Sequence, residues 1–273
     1  MSEDSSPSVE PLLAVENLRV EFRSRGNVFE AVRGVSFSLS EGEILAVVGE
    51  SGSGKTVTSQ ALAGLLPDPP LCRTSGSVRL RGREILGLPE RELRKIRGRE
   101  IAYVFQDPLS SLNPVYAVGA QIDEALRFHV PALTTARARR ERVREALTAV
   151  GVNPDLADEF PHRFSGGMQQ RVMIAMSLAC EPKILVADEP TTALDVTVQK
   201  QIMELLLSVR ERFGTSVLLI THNFGIVAQV ADRAVVLYRG EKAEEGAAAD
   251  VISRPSHPYT RALLACVPRL KAH

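Results

Sequence analysis

The 273-residue chain carries no net charge, because 33 basic and 33 acidic residues cancel. That removes the electrostatic case for nucleic acid as a partner. Cysteine is scarce: Cys72, Cys180 and Cys266 lie far apart, with neither metal nor disulfide spacing, which suits a reducing cytosol. Long apolar runs are missing too. Stretches such as "ILAVVG" and "VLLI" are strand-length, far below the roughly 18 residues of a membrane span. The opening "MSEDSSPSVEP" is acidic and polar where a secretion signal is basic and then apolar. Internal repeats, low-complexity tracts and a long linker are also lacking. These absences lead to the expectation of a soluble intracellular protein. A hydrophobic fraction of 44% is enough for a core, and the length suits one large domain with at most a small subdomain.

What is present reads as alternating strands and helices. After about ten residues expected to be disordered, "LLAVENLRVEF" and "AVRGVSFSLS" alternate apolar and polar positions, as half-buried antiparallel strands do, with "RSRGN" as the turn. "EILAVVG" is continuously apolar and predicts a strand buried on both faces, and "GKTVTSQALAGLL" predicts the helix after it, stopped by "PDPP". A short strand, "GSVRLRG", a charged helix, "PERELRKIRG", and the strand "EIAYVF" follow. From about Tyr116 to Asp158 the pattern is helical only. In that stretch "RARRERVRE" reads as a solvated helix face with i,i+4 pairs such as Arg137/Glu141. Alternation then resumes through "KILVAD", "VTVQKQIMELLLSVRERFG", "SVLLIT", "NFGIVAQVA" and "RAVVLY". The implied fold class is α/β: a mostly parallel sheet with helices on both faces, an N-terminal antiparallel β subdomain and an inserted α-helical subdomain.

The most specific local signal is "GESGSGKT", which fits G-x-x-x-x-G-K-[ST] between a buried strand and a helix, the context that motif requires. Its residues Gly49, Glu50, Ser51, Gly52, Ser53 and Gly54 can turn successive backbone N–H groups inward around phosphates. Lys55 can reach the β- and γ-phosphates, and Thr56 can offer its hydroxyl to Mg²⁺. In "KILVADEP" four apolar residues run into Asp188, a second candidate Mg²⁺ ligand. Glu189 follows, placed to orient or deprotonate a water. Gln106 in "YVFQDP" and His222 in "LLITHN" end two further strands. Ligands of open α/β sheets sit at the carboxyl ends of the strands, so four polar groups converge on one edge.

A second anion-binding device stands about a hundred residues further on. In "FSGGMQQR", Ser165 can cap a helix while the N–H groups of Gly166 and Gly167 remain free to meet an anion.

Taken together, residues 12–268 resemble the ATP-binding subunits of ABC transporters, with a P-loop NTPase core. "GESGSGKT" resembles their Walker A motif, Gln106 their Q-loop, "FSGGM" their signature, "ILVADE" their Walker B, Ala193 to Asp195 their D-loop and His222 their H-loop. The resemblance implies ATP and Mg²⁺ as ligands. It also implies that the signature binds the γ-phosphate of ATP held by a second ATP-binding subunit, so that two subunits meeting head to tail form two composite sites. It further implies an adenine-stacking aromatic, for which Phe29 is the candidate with Phe22 behind it. The commonest signature is LSGGQ, so Met168 leaves open whatever contact a glutamine side chain would make there.

"GESGSGKT", "VFQDPLSSLNP", "ADEPTTALDVTVQ" and "RPSHPYTRALLACVP" are similar to the oligopeptide, dipeptide and nickel importer branch. The last is the most diagnostic, since nucleotide chemistry does not require it. The branch implies a helical subdomain at about 110–165, a branch-specific segment at about 247–268, a different ATPase as partner and two membrane-spanning permease subunits. An extracytoplasmic solute-binding protein would feed these, and the chain would sit peripherally on the cytoplasmic face of the inner membrane. The segment "DPLSSLNPVYAVG" is expected to receive a short helix of a permease subunit. Many branch members carry a cysteine-containing tail for an iron–sulfur cluster. Here only Cys266 is at hand, which predicts no cluster and a buried, small-hydrophobe role for that thiol. A DNA-repair or chromosome-organising ATPase is disfavoured, since the stretch from Gln106 to Phe164 has no room for a long coiled coil. A non-hydrolysing regulatory subunit is disfavoured by the presence of Glu189 and His222.

Overall fold

The computed structural model describes residues 10–24, 26–107, 111–192 and 194–266. An antiparallel sheet is built from β1 (Leu13–Ser24), β2 (Asn27–Leu39), β4 (Cys72–Leu80) and β5 (Arg83–Glu84), in the order β2-β1-β4-β5. In β1 the inward residues are Leu13 and Val15, then Leu18 and Val20. The change of parity falls where the register with β2 shifts, at Asn17, whose φ is 48°. A bulge there keeps apolar residues on one face through a long strand.

The main sheet comprises β3 (Ile44–Val48), β6 (Ile101–Val104), β7 (Ile184–Asp188), β8 (Ser216–Thr221), β9 (Arg233–Tyr238) and β10 (Glu241–Ala247), ordered β10-β9-β3-β8-β7-β6. Every pairing is parallel except that of β10 with β9. All residues of β3, β7 and β8 are buried, which is why these segments read as unbroken apolar runs. Val48 is level with Thr221, Asp188 with Ile220 and Val104 with Ala187. The residues that follow these strands therefore emerge along one edge of the sheet.

Helix α1 (Lys55–Leu62) follows β3 and α2 (Glu90–Ile96) precedes β6. Between β6 and β7 the described residues form only helices: α3 (Val118–His129), α4 (Ala136–Ala149), two short 3-10 turns and α5 (Gly166–Leu178). Ile122, Leu126, Leu147 and Val172 of this segment share one core with Leu185 and Leu219 of the sheet, so the helices are packed on it. The chain continues through α6 (Val196–Phe213), α7 (Phe224–Val230), α8 (Ala248–Ser253) and α9 (Pro258–Ala265).

Two local expectations change, and one strand lies beyond the pattern read from the sequence. Strand β10, "EKAEEGA", has no strand-like composition. It is an edge strand whose charges work as ion pairs, Arg233 with Glu245 and Lys242 with Glu245, and charge along an edge also blocks pairing with other chains. Three arginines of α4 bond to other elements, Arg139 to Asp123 at 2.7 Å, Arg142 to Glu181 at 2.6 Å and Arg144 to Asp155 at 3.0 Å, and the pair within the helix is Arg142 with Glu145 at 3.2 Å. Cys266 is exposed, not buried, because it caps the end of α9 while Leu263 and Leu264 take the inner side. Cys72 and Cys180 are the buried thiols, and burial pushes Cys180 up to about 11, which leaves it inert near neutrality.

Candidate active site

Residues 49–54 turn from β3 into α1 with φ values open to glycine. Gly54 has φ 98°, and a Cβ there would lie 2.7 Å from the Ala31 carbonyl oxygen. A Cβ on Gly49 would lie 2.3 Å from the Leu237 carbonyl oxygen. Only glycine lets the loop sit this close to the backbone of β2 and β9. Ser53 Oγ is buried in the loop without a hydrogen-bond partner, as suits a donor in a cradle that awaits an anion.

Lys55, 5% exposed, folds back so that its Nζ donates to the carbonyl oxygens of Gly49 and Glu50, both at 2.8 Å. Burial pulls its pKa down, against the carboxylates of Glu189, Asp188 and Glu50, which favour the charge.

Asp188 ends β7, buried. Thr56 Oγ1 donates to its Oδ1 at 3.2 Å and the Tyr103 hydroxyl donates to its Oδ2 at 2.8 Å. Burial pushes the carboxyl above the usual carboxylate range. Neighbouring Glu189 adds to this, while the Tyr103 and Thr56 bonds and the Lys55 charge oppose it. Burial and the Asp188 charge raise the Tyr103 phenol, so it stays a donor, and its oxygen also lies 2.8 Å from Ser59 Oγ.

The next residue turns sharply. Glu189 has φ 45°, a left-handed conformation that is costly outside glycine and concentrates at functional sites. The turn brings three polar groups onto one carboxylate. Gln106 Nε2 donates to Oε2 at 3.2 Å, Thr192 Oγ1 donates to the same oxygen at 2.9 Å, and His222 Nδ1 lies 3.1 Å from Oε1. With the imidazole proton on Nδ1, this last contact is a hydrogen bond that leaves Nε2 as an acceptor. His222 is 63% exposed and Glu189 17%.

A cavity of about 580 Å³ joins these groups, lined by residues of the 49–57 turn with Gln106, Glu189, His222 and Leu263. The sequence-derived residues Gly49, Glu50, Ser51, Gly52, Gly54, Lys55, Thr56, Gln106, Glu189 and His222 are thus brought together, with Asp188 and Ser53 directly behind. The oxygen donors at Thr56 and Asp188, 3.2 Å apart, match what a hard divalent cation takes, and Gln106 lines the same cavity as Thr56.

No residue of 164–168 lines the cavity. Ser165 and Gly166 are exposed instead. Ser165 caps α5 by accepting from Met168 N at 3.4 Å, and the first N–H groups of α5 lie outside its own ladder. Asp195 caps α6, accepting from Val198 N at 2.9 Å, and Ala193 lies outside the described residues. Phe29 is 62% exposed and level with Phe22 across the β1–β2 hairpin, and neither lines the cavity.

Three residues of the site escaped the sequence reading: Tyr103, Tyr259 and Leu263. Tyr103 carried a usable signal, since it lies on β6, three positions before Gln106 in the segment that the strand leads into. The other two come from more than two hundred residues along the chain, and spacing gave no hint of them.

Comparison with known proteins agrees with this geometry. The family model described as ABC transporter matches residues 32–192, and that of the oligopeptide/dipeptide transporter C-terminal region matches 243–273. The dipeptide transport ATP-binding protein DppD of Bacillus subtilis is 49% identical over 96% of this chain and 78% of its own length. The oligopeptide transport ATP-binding protein OppD of the same organism is 48% identical over 96% of this chain and 73% of its own length. Among solved structures, the ATP-binding cassette MJ0796, a dimer in a post-hydrolysis state bound to ADP and Pi, superimposes with a TM-score of 0.77. It is 30% identical and covers 86% of this chain and 98% of its own. The cbiO1 cassette of Clostridium perfringens, part of the transporter complex cbiONQ, gives 0.76 at 28% identity, over 90% of this chain and 92% of its own. A cradle, an acidic strand end and an outward-facing serine–glycine helix start, set on this sheet order, have the same explanation as these matches: the chain belongs to the ABC transporter family, as an ATP-binding cassette.

Proposed function

We propose that this chain binds and hydrolyses Mg-ATP at residues 49–56, 106, 188, 189 and 222, and that hydrolysis powers uptake of peptides or a related solute. The observation that carries the reading is Glu189, a carboxylate turned out of β7 and held between Gln106 and His222 at the mouth of the cradle. The N–H groups of the loop and the start of α1 receive the phosphates. Lys55 gives up the carbonyls of Gly49 and Glu50 for the β- and γ-phosphates. Thr56 and Asp188 would hold Mg²⁺ with Gln106 alongside, and the ion would supply neutralisation of the phosphate charge. Glu189 takes a proton from the attacking water. His222, bonded to its other oxygen, fixes the direction of the carboxylate. The Phe22–Phe29 pair offers the adenine a platform, Phe29 outermost.

The signature helix serves a second molecule. Ser165 and the N–H groups of Gly166 and Gly167 bind the γ-phosphate of ATP in a second ATP-binding subunit, a different chain, with Asp195 at the same junction. No described helix is long and apolar enough to cross a membrane. In this reading two permease subunits supply the passage, an extracytoplasmic solute-binding protein supplies the cargo, and this chain sits peripherally on the cytoplasmic face of the inner membrane. Exposed Val115 and Tyr116, in the segment that follows Gln106, receive a helix of the permease, and nucleic acid has no part. Relatives named for dipeptide and oligopeptide transport support peptide as the cargo class.

Glu189→Gln in the assembled complex tests the core of this reading. General-base catalysis is worth about 10²- to 10⁴-fold. Phosphate release should slow by at least tenfold with nucleotide binding retained, and a smaller loss shows that Glu189 is not the base.

A further inference from the structure

The segment "RPSHPYTRALLACVP" has no duty in nucleotide chemistry, yet it reaches the phosphate cradle. The Tyr259 hydroxyl, at the first turn of α9, accepts a hydrogen bond from the backbone N–H of Glu50 at 3.1 Å. One turn on, Leu263 lines the nucleotide cavity itself. The segment is anchored for this contact. Glu244 on β10 accepts from Ser256 N at 2.7 Å, Ser256 Oγ at 2.9 Å and His257 N at 3.1 Å. His257 Nδ1 accepts from Tyr259 N at 3.2 Å, and the Tyr259 ring packs on Tyr238 with centroids 4.1 Å apart.

The peptide geometry gives the contact its meaning. The Gly49 carbonyl and the Glu50 N–H belong to one trans peptide unit and so point in opposite directions. The carbonyl accepts from Lys55 on the cradle side, and the N–H therefore faces away from the phosphates, onto Tyr259. When Lys55 turns to a phosphate, it releases the inner side of this peptide, and the outer side stays held. The other end of the loop is fixed separately, by Gly240 N donating to the Ser53 carbonyl at 3.0 Å.

We propose that Tyr259 is a positioning residue for the phosphate cradle: it fixes the plane of the Gly49–Glu50 peptide from outside, so nucleotide affinity depends on the segment 254–266. This rests on the reading of residues 49–56 as the ATP phosphate site. Nucleotide occupancy and order in 254–266 are then linked reciprocally.

The test is Tyr259→Phe in the full chain, which keeps the ring on Tyr238 and removes only the hydroxyl. Mg-ADP binding is measured by calorimetry, because it fills the cradle without turnover, and melting temperature is measured alongside. A neutral hydrogen bond is worth a factor of roughly 2 to 12 in an equilibrium constant. The dissociation constant should rise about three- to tenfold, with the melting temperature of the free protein within about 2 °C of wild type. Hydrogen exchange supplies the reciprocal readout: Mg-ADP slows exchange across 256–264 in wild type and fails to do so in the variant. Unchanged affinity overturns the proposal. So does a fall in melting temperature that matches the loss of affinity, since that makes the hydroxyl a purely structural contact. If wild type itself binds no Mg-ADP, the assignment of the cradle fails and takes this proposal with it, a result distinct from equal binding by both proteins.

Discussion

Asp188 is a carboxylate buried at the end of β7, and its raised pKa says that its charge is held at a cost to the fold. The sign follows from linkage. A folded-state pKa above the unfolded value near 3.9 means that the folded protein binds the proton more tightly. Its contribution to stability is then fully present below the unfolded pKa and is lost as pH rises through the folded one. Asp188→Asn removes the charge and keeps the shape. The nucleotide-free variant should melt above wild type at pH 8, and the gap should shrink as pH falls toward 5. Scanning calorimetry at both pH values checks this, and a gap that widens on acidification contradicts it. The same variant should lose Mg-dependent hydrolysis, so stability and activity part company at one atom pair. Glu189 shows the same division in backbone form, with a φ of 45° tolerated where the carboxylate has to leave the strand direction.

The start of α5 carries a helix cap and, on the proposed function, a contact with a second subunit's ATP, and one substitution can separate the two. Ser165 satisfies a helix end through Met168 N and is exposed, while none of its neighbours 164–168 lines the cradle cavity of its own chain. Ser165→Ala should cost about 0.5–2 kcal/mol of stability, the usual worth of such a cap. Mg-ADP affinity of the isolated chain should stay unchanged. Hydrolysis by the assembled complex should fall at least tenfold if, as proposed, the phosphate that this serine serves belongs to another subunit. Loss of Mg-ADP binding in the isolated variant would instead place the serine in its own chain's site. Elements of this kind were legible in the sequence because local chemistry dictates them: glycine for close approach at 49 and 54, a serine cap at 165, apolar runs ending in Asp188 and His222. Elements whose reason is tertiary were not. Strand β10 is held by its antiparallel pairing with β9 and by the Arg233–Glu245 ion pair, so its residues spell solubility, not strand, and Tyr259 meets Glu50 across more than two hundred residues.

At the scale of the molecule, the two anion-binding devices face different places. The cradle opens at the strand ends beside Glu189, and the signature helix presents its start to solvent. On the proposed function a single chain would complete neither device alone, whereas two chains head to tail would complete both, with ATP as the adhesive and hydrolysis as the release. Slowing hydrolysis should trap that state. The Glu189→Gln variant, measured by light scattering with and without Mg-ATP, should double in mass on nucleotide addition if like chains can pair. It should revert when Mg-ADP replaces Mg-ATP, because the γ-phosphate is the bridging group. Adding Ser165→Ala to this variant should abolish the doubling while leaving nucleotide bound. A nucleotide-loaded variant that stays monomeric shows that identical chains do not complete the site. The same experiment, repeated with the second ATP-binding subunit of the importer, should then give a one-to-one pair that depends on Ser165 in the same way.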